Sequence, residues 1–185
     1  MPSNFQPEKM TLLDSIPFDR LLWFVPFFFM LHNMEEAPFM ENWSKRLPLK
    51  AHPIVSTKQF VIAVTFLTLG GFILTFLGVE ILPQPIGYLL ILGLQMVLAF
   101  NAFVPHLLSS IRFRLYSPGL VTALLITLPF SFYLFRRTLT ENLLNWSQFW
   151  ILLAIAPFAM ILFAYISLQA GKFLESKKWP WKHTS

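Results

Sequence analysis

Residues 21–40 read LLWFVPFFFMLHNMEEAPFM, an apolar run that carries one imidazole and two carboxylates near its end. A helix that crosses a membrane needs about 20 predominantly apolar residues. Ionisable side chains inside such a helix are costly to bury and mark functional positions by default. The run therefore predicts a membrane fold and, within it, a candidate site at His32, Glu35 and Glu36.

The composition of the whole chain supports a membrane fold. Of its 185 residues, 56% are hydrophobic, 17% are aromatic and only 12% are charged, whereas soluble domains carry about 25% charged residues. The net charge of +5 is attributed to lysines and arginines at the membrane surface, which argues against nucleic-acid binding. The absence of cysteine excludes disulfides and thiolate metal sites.

Five apolar segments are long enough to span a bilayer, and they predict an all-α, polytopic membrane protein. We expect a single domain over residues 1–185, a bundle of about five transmembrane helices. A very short turn containing two prolines separates the second segment from the third, so these two should pair in antiparallel fashion. The predicted spans are roughly 20–40, 59–82, 86–108, 118–135 and 148–171.

The distribution of lysine and arginine predicts the orientation of the chain. With five spans, one side of the membrane receives ten of the 14 basic residues, and such residues favour the cytoplasmic side. We therefore expect a multi-pass protein of the cytoplasmic (inner) membrane, with its N-terminus outside and its C-terminus in the cytoplasm. The ten residues are Lys45, Arg46, Lys50, Lys58, Arg112, Arg114, Lys172, Lys177, Lys178 and Lys182.

This topology places several polar residues at one level of the membrane. His32, Glu35 and Glu36 lie near the cytoplasmic end of the first span, and His106 lies near the same end of the third. Tyr116 precedes the fourth span on that side. Positions three and four apart share a helix face, so the first histidine should meet both glutamates.

Two imidazoles and two carboxylates at one depth are typical of a site for a divalent metal ion. We assign His32, Glu36 and His106 as ligands, since catalytic zinc sites use three protein ligands and a water molecule. Glu35 is then free to act as a general base on that water. Zinc is favoured, and iron or manganese also suits these ligands.

Two alternatives explain the glutamates without a metal. Pro38 places Glu35 and Glu36 in the last turn of their helix, where the helix dipole disfavours carboxylates. The carboxylates are then either hydrated at the membrane interface or paired with Arg112 or Arg114. The two arginines also mark the cytoplasmic boundary and are candidates for binding a phosphate headgroup.

Further polar side chains are expected to support the ligands or to orient a substrate. Gln95 shares a helix stripe with His106. Asn101 lies about 140° around an ideal helix from that histidine, so ideal geometry does not bring the two side chains to one site. Pro105 predicts a local kink just before the histidine, which is the one feature of the sequence that would reduce this separation. The supporting set is Gln95, Asn101, Tyr116, Tyr165 and Gln169.

The pattern His32-x-x-Glu35-Glu36, the histidine at position 106 and Tyr116-x-Pro118-Gly119 resemble the HXXEE-domain family of small bacterial integral membrane proteins. The motifs occur in the family's order, and the resemblance covers the chain from about the first span through the fifth. It implies that these positions form the site. It implies no reaction, since the family's function is uncharacterised.

These features together predict a metal-dependent intramembrane enzyme, most simply a hydrolase acting on a lipid or amphipathic substrate near the cytoplasmic face. A non-haem iron membrane oxidoreductase on the same His/Glu site is the near alternative. A proton- or ion-coupled small membrane transporter is an alternative of another class, because intramembrane His and Glu also form proton relays. A non-catalytic membrane subunit would need no metal.

Overall fold

The computed structural model describes residues 12–48 and 53–177, and these ranges contain helices and no strand. Four of the helices are long and apolar enough to cross a membrane, which confirms the expected helical membrane bundle. A short 3₁₀ helix (Leu12–Ser15) and three short α-helices precede them in the chain. The short α-helices are α1 (Phe18–Leu22), α2 (Phe24–Glu36) and α3 (Met40–Arg46), and the long ones are α4 (Thr57–Ile81), α5 (Ile86–Phe113), α6 (Leu120–Thr140) and α7 (Trp146–Ser176).

The first predicted span, residues 20–40, is divided among the three short helices. The helical pattern breaks at Trp23, and α2 ends at Glu36, two residues before Pro38. Proline cannot donate the backbone hydrogen bond that would continue α2. Because no piece is a continuous helix of 18 residues, this segment is not among the four spanning helices. Its crossing of the membrane therefore stays a prediction.

Helices α4 and α5 form an antiparallel hairpin around the turn at residues 82–85. The backbones of Gly78 and Gly87 approach so closely that a Cβ atom on Gly87 would overlap the carbonyl of Gly78. The Gln84 side chain closes the turn, since its Nε2 donates to the Gly78 carbonyl over 3.0 Å and its Oε1 accepts from the amide of Tyr88 over 3.0 Å. Small residues let membrane helices pack backbone to backbone, and this pair shows the effect.

Helix α7 packs against α4 and α5 and brings its C-terminal end to the start of α4. Gly171 lies against the backbone carbonyl of Gln59, and the Gln59 side chain donates to the carbonyl of Leu168 over 3.0 Å. The hydroxyl of Ser56 donates to Glu175 over 2.6 Å. The start of α4 and the end of α7 thus lie at one end of the bundle.

Helix α3 is held at the same end by a carboxylate. Glu41 accepts a hydrogen bond from Lys45 over 2.6 Å, and from the amide and hydroxyl of Thr57 over 2.8 and 2.9 Å. The Lys45 bond, together with those from Thr57, lowers the pKa of Glu41 to about 2. This carboxylate therefore ties α3 to the first turn of α4.

Candidate metal centre

Helices α2 and α5 bring three ionisable side chains together. His32 and Glu36 stand one turn apart on α2, and His106 projects from α5. One ligand atom from each lies within 4.8 Å of the other two. Their exposed fractions are only 3%, 8% and 2%, respectively. The structure thus brings together, in a buried site, the three residues assigned above as metal ligands.

The distances between these ligand atoms suit a single metal ion. The Nε2 atoms of His32 and His106 are 3.1 Å apart, and each lies 3.9 Å from an oxygen of Glu36. Zinc binds histidine nitrogen at about 2.0–2.1 Å in tetrahedral sites, so its donor atoms stand about 3.3 Å apart. The imidazoles are close to that spacing, and a small inward movement of the carboxylate would complete it.

The hydrogen bonds of the outer ring nitrogens determine which way each imidazole is protonated. The hydroxyl of Thr122 donates to the Gly119 carbonyl over 3.1 Å, so it accepts from His32 Nδ1 at 3.0 Å. The hydroxyl of Ser117 donates to the carbonyl of Pro105 over 3.4 Å, and it accepts from His106 Nδ1 at 3.3 Å. Metal-binding histidines are typically oriented in this way.

These tautomers leave a lone pair on both inner nitrogens. Two lone pairs that face each other across 3.1 Å repel unless a donor or a cation lies between them. Asn101 supplies a donor, because its Nδ2 lies 3.1 Å from His106 Nε2 and 3.4 Å from His32 Nε2. The convergence of two acceptors and a carboxylate is the arrangement that a metal ion satisfies.

A local change in helix geometry brings Asn101 to this point. Residues Ala102–Leu108 of α5 form a π-helical turn that contains Pro105. In such a turn the backbone bond joins residues i and i+5, so side chains five positions apart come to lie on nearly the same face. The ideal α-helix used in the sequence analysis separates Asn101 from His106, and the π-helical turn removes that separation.

The loop before α6 packs its glycine against both imidazoles. Gly119 has φ +84°, a conformation that L side chains rarely adopt. A Cβ atom at this position would lie 2.6 Å from Cε1 of His32 and 3.1 Å from Cε1 of His106. Glycine is therefore required here both by the backbone and by the space that the histidines leave.

Glu35 faces the start of α6 and lies outside the group of three. Its Oε2 accepts from the amide of Thr122 over 2.7 Å, and its Oε1 accepts from the amide of Val121 over 3.1 Å and from the hydroxyl of Tyr116. Burial and the neighbouring carboxylate raise the pKa of Tyr116 to about 12, which keeps this phenol a donor. Both oxygens of Glu35 are thus occupied by hydrogen bonds.

The arginines lie away from the glutamates. In the part of the chain that the structure describes, no salt bridge joins Arg112 or Arg114 to Glu35 or Glu36. Both arginines are exposed, and the guanidinium of Arg112 lies over the ring of Phe113, 5.9 Å from its centre. The carboxylate of Glu36 is buried without a neighbouring arginine to balance it.

Three of the predicted supporting residues lie elsewhere. Gln95 is buried in the bundle, where its Nε2 donates to the hydroxyl of Ser131 over 2.6 Å. Tyr165 and Gln169 are exposed on α7. Asn101 contacts both imidazoles, while Tyr116 reaches the site only through Glu35.

Two side chains that contact the cluster were not predicted from the sequence. The hydroxyls of Ser117 and Thr122 lie within hydrogen-bond distance of the outer ring nitrogens, Nδ1 of His106 and of His32. The signal available was their position, since one lies inside the Tyr116-x-Pro118-Gly119 motif and the other follows three residues after its glycine. Hydroxyl side chains in helix-capping loops are usually explained by turn geometry, which hid this role.

Comparison with known proteins places the site inside a matched region. A family model described as "Protein of unknown function with HXXEE motif" matches residues 23–134, a range that contains every side chain of the cluster. An uncharacterised protein of Bacillus subtilis (strain 168), YrkK, is 29% identical over 152 residues, which cover 80% of this chain and 94% of the relative. No solved structure matches the chain.

Proposed function

The chain belongs to the family of proteins with an HXXEE motif, and we propose that it is a metal-dependent membrane enzyme that hydrolyses a lipid or amphipathic substrate. The observation that carries the proposal is the meeting of His32, Glu36 and His106 in a buried group with ligand atoms within 4.8 Å of one another. Buried ionisable groups of this kind are paired or bind metals.

Zinc is the favoured ion. Two histidines and one glutamate are a known ligand set of catalytic zinc sites, which keep a fourth position open. A zinc ion held there would act as a Lewis acid and lower the pKa of a water molecule towards about 7. His32 and His106 would hold the ion through Nε2, while the hydroxyls of Thr122 and Ser117 fix the orientation of the rings.

The sequence predicts Glu35 as the general base. Because three hydrogen bonds already occupy both of its oxygens, we assign the proton acceptor to Glu36 instead. A carboxylate that binds a metal through one oxygen keeps the second oxygen free to accept a proton. Both oxygens of Glu36 face the imidazoles, at 3.9 Å, so either can take each role.

The surroundings of the site favour an amphipathic substrate. The cluster lies between apolar helices, nearer to the end of the bundle that carries the basic loops, which we expect to face the cytoplasm. Met34, Phe39 and Phe103, which neighbour the site residues in sequence, are large apolar side chains with more than half of their surface exposed. A lipid can approach along these side chains and present its polar group at the inner face of the cytoplasmic membrane.

An iron oxidoreductase is the second candidate function, and one observation favours it. Two histidines and one carboxylate with open positions are also the ligand set of non-haem iron oxygenases. Iron or manganese in place of zinc would direct the same residues to redox chemistry on a lipid. The identity of the bound metal separates the two functions.

Hydrolysis is tested with the zinc-loaded protein in phospholipid vesicles, with lipid products measured by mass spectrometry. The proposal predicts product release that falls at least tenfold in His106→Ala and in Glu36→Ala, and is unchanged in Glu41→Gln, a carboxylate at the same end but outside the cluster. Release that is equal in all four proteins would contradict the proposal. Proton-coupled flux that requires Glu36, without products, would favour a transporter.

A further inference from the structure

One residue of α6 is held by two side chains of α2. His32 and Glu35 stand one turn apart on α2, and both bind Thr122. The imidazole donates to the Thr122 hydroxyl at 3.0 Å, and the carboxylate accepts from the Thr122 amide at 2.7 Å. The start of α6 is therefore attached to α2 through its backbone, at the same residue that orients the imidazole.

We propose that Glu35 is a positioning residue, which holds Thr122 so that the His32 ring presents Nε2 to the metal. The inference rests on the proposed metal centre. Glu35 acts through the start of α6 and does not touch the metal or the reacting atoms. Its carboxylate fixes the first turn of α6 against α2, and amide and hydroxyl donors stabilise its negative charge.

The geometry of the loop explains why the first turn of α6 needs hydrogen-bond acceptors from another helix. Gly119 turns the chain at φ +84° directly before α6, and the first amides of a helix have no partner within the helix. Glu35 accepts hydrogen bonds from the amides of Val121 and Thr122. A negative charge at this position also interacts favourably with the helix dipole. Tyr116 donates a further hydrogen bond to the same carboxylate from the other side of the turn.

Loss of the Glu35 carboxylate should alter the orientation and tautomer of the His32 ring without unfolding the protein. Without the carboxylate, the Thr122 hydroxyl moves away from His32 Nδ1, and the ring is no longer held in the tautomer that leaves Nε2 free for the metal. Removing such an outer partner of a metal-binding histidine typically weakens metal affinity by about 10–100-fold. The same loss is expected from the other side of the contact, when the hydroxyl is removed.

The test measures zinc affinity in detergent micelles by competition with a chelator. Glu35→Gln should bind zinc about 10–100-fold more weakly than the wild type, because one amide acceptor is replaced by an NH₂ group that cannot accept. Thr122→Val, which keeps the amide but loses the hydroxyl, should show a similar loss. Thr122→Ser should restore affinity to within about threefold, and Glu41→Gln should leave it unchanged.

Two further results separate a positioning role from a general loss of structure. The double variant of Glu35→Gln and Thr122→Val should have the same zinc affinity as the single variant with the lower affinity. The two losses should not add, since both substitutions act through the same contact to His32. Nitrogen-15 NMR of the metal-free proteins should show His32 protonated at Nδ1 in the wild type and a mixture of tautomers in Glu35→Gln.

The inference and the proposed function fail in different ways. If the wild type binds zinc and Glu35→Gln binds it within twofold of the wild type, the positioning role is refuted and the metal centre stands. If the wild type binds no zinc, the proposed metal centre itself is refuted. Fully additive losses in the double variant would also overturn the positioning role, because they would show that the two residues act independently.

Discussion

Replacing Gly119 by alanine should weaken metal binding strongly, and the size of the effect follows from the structure. The left-handed conformation at φ +84° costs an L residue roughly 1–2 kcal/mol. The new Cβ atom would lie 2.6 Å from His32 Cε1, about 0.9 Å inside normal carbon contact. Relief of such overpacking costs about 1–3 kcal/mol.

The two costs together amount to about 2–5 kcal/mol. The overpacking cost displaces the imidazoles and so weakens metal binding directly. A cost of about 2 kcal/mol corresponds to about a 30-fold loss of zinc affinity. Zinc competition assays on the purified variant measure this loss. Gly70→Ala is the matched control, because nothing lies within 4 Å of a Cβ atom there and alanine is the better helix former. Wild-type zinc affinity in Gly119→Ala would refute the packing of this loop against the histidines.

Three further predictions concern other parts of the structure. Gly87→Ala should lower the stability of the protein in detergent by about 1–3 kcal/mol, because the new Cβ atom would overlap the carbonyl of Gly78. Gly93→Ala, where a Cβ atom would make an ordinary contact at 3.5 Å, should leave stability unchanged. Thermal unfolding measures both variants, and equal melting temperatures would contradict the close approach of α4 and α5. Hydrogen bonds to Lys45 and Thr57 lower the pKa of Glu41 to about 2, so its contribution to stability is present above its unfolded pKa of about 4.3 and is lost as the pH falls towards 2. The difference in unfolding free energy between the wild type and Glu41→Gln should therefore disappear over that range. A difference that stays constant with pH would contradict the ion pair. Asn101→Asp places an anionic oxygen near both Nε2 atoms, so it should tighten zinc binding and destabilise the metal-free protein; unchanged zinc affinity would show that this side chain does not face the metal.

The sequence was sufficient for the parts of the fold that depend on simple periodicity. Apolar length predicted the long helices, and the spacing of His32 and Glu36 placed both on one face of α2. The turn with its two prolines predicted the pairing of α4 with α5. Each of these follows from regular helix geometry, which a sequence pattern expresses directly.

The remaining features depend on departures from regular geometry. The break at Trp23 divides the first apolar run, although the run is long enough to span. The π-helical turn carries Asn101 to the histidines, whereas an ideal helix separates them. The direction of Glu35 depends on unpaired amides at the start of α6, which become available only through the left-handed turn at Gly119. Pro105 indicates that the helix departs from ideal geometry near Asn101, but no residue spacing in the sequence gives the direction or size of these local changes.

The proposed function requires that His32, Glu36 and His106 hold a metal ion. The most direct measurement is the metal content of the wild-type protein, purified in detergent without chelators and then equilibrated with zinc, compared with His32→Ala and His106→Ala. We predict about one ion per chain in the wild type and less than a tenth of that in either variant. A folded wild-type protein that retains no zinc, iron or manganese, with both variants indistinguishable from it, would contradict this metal centre.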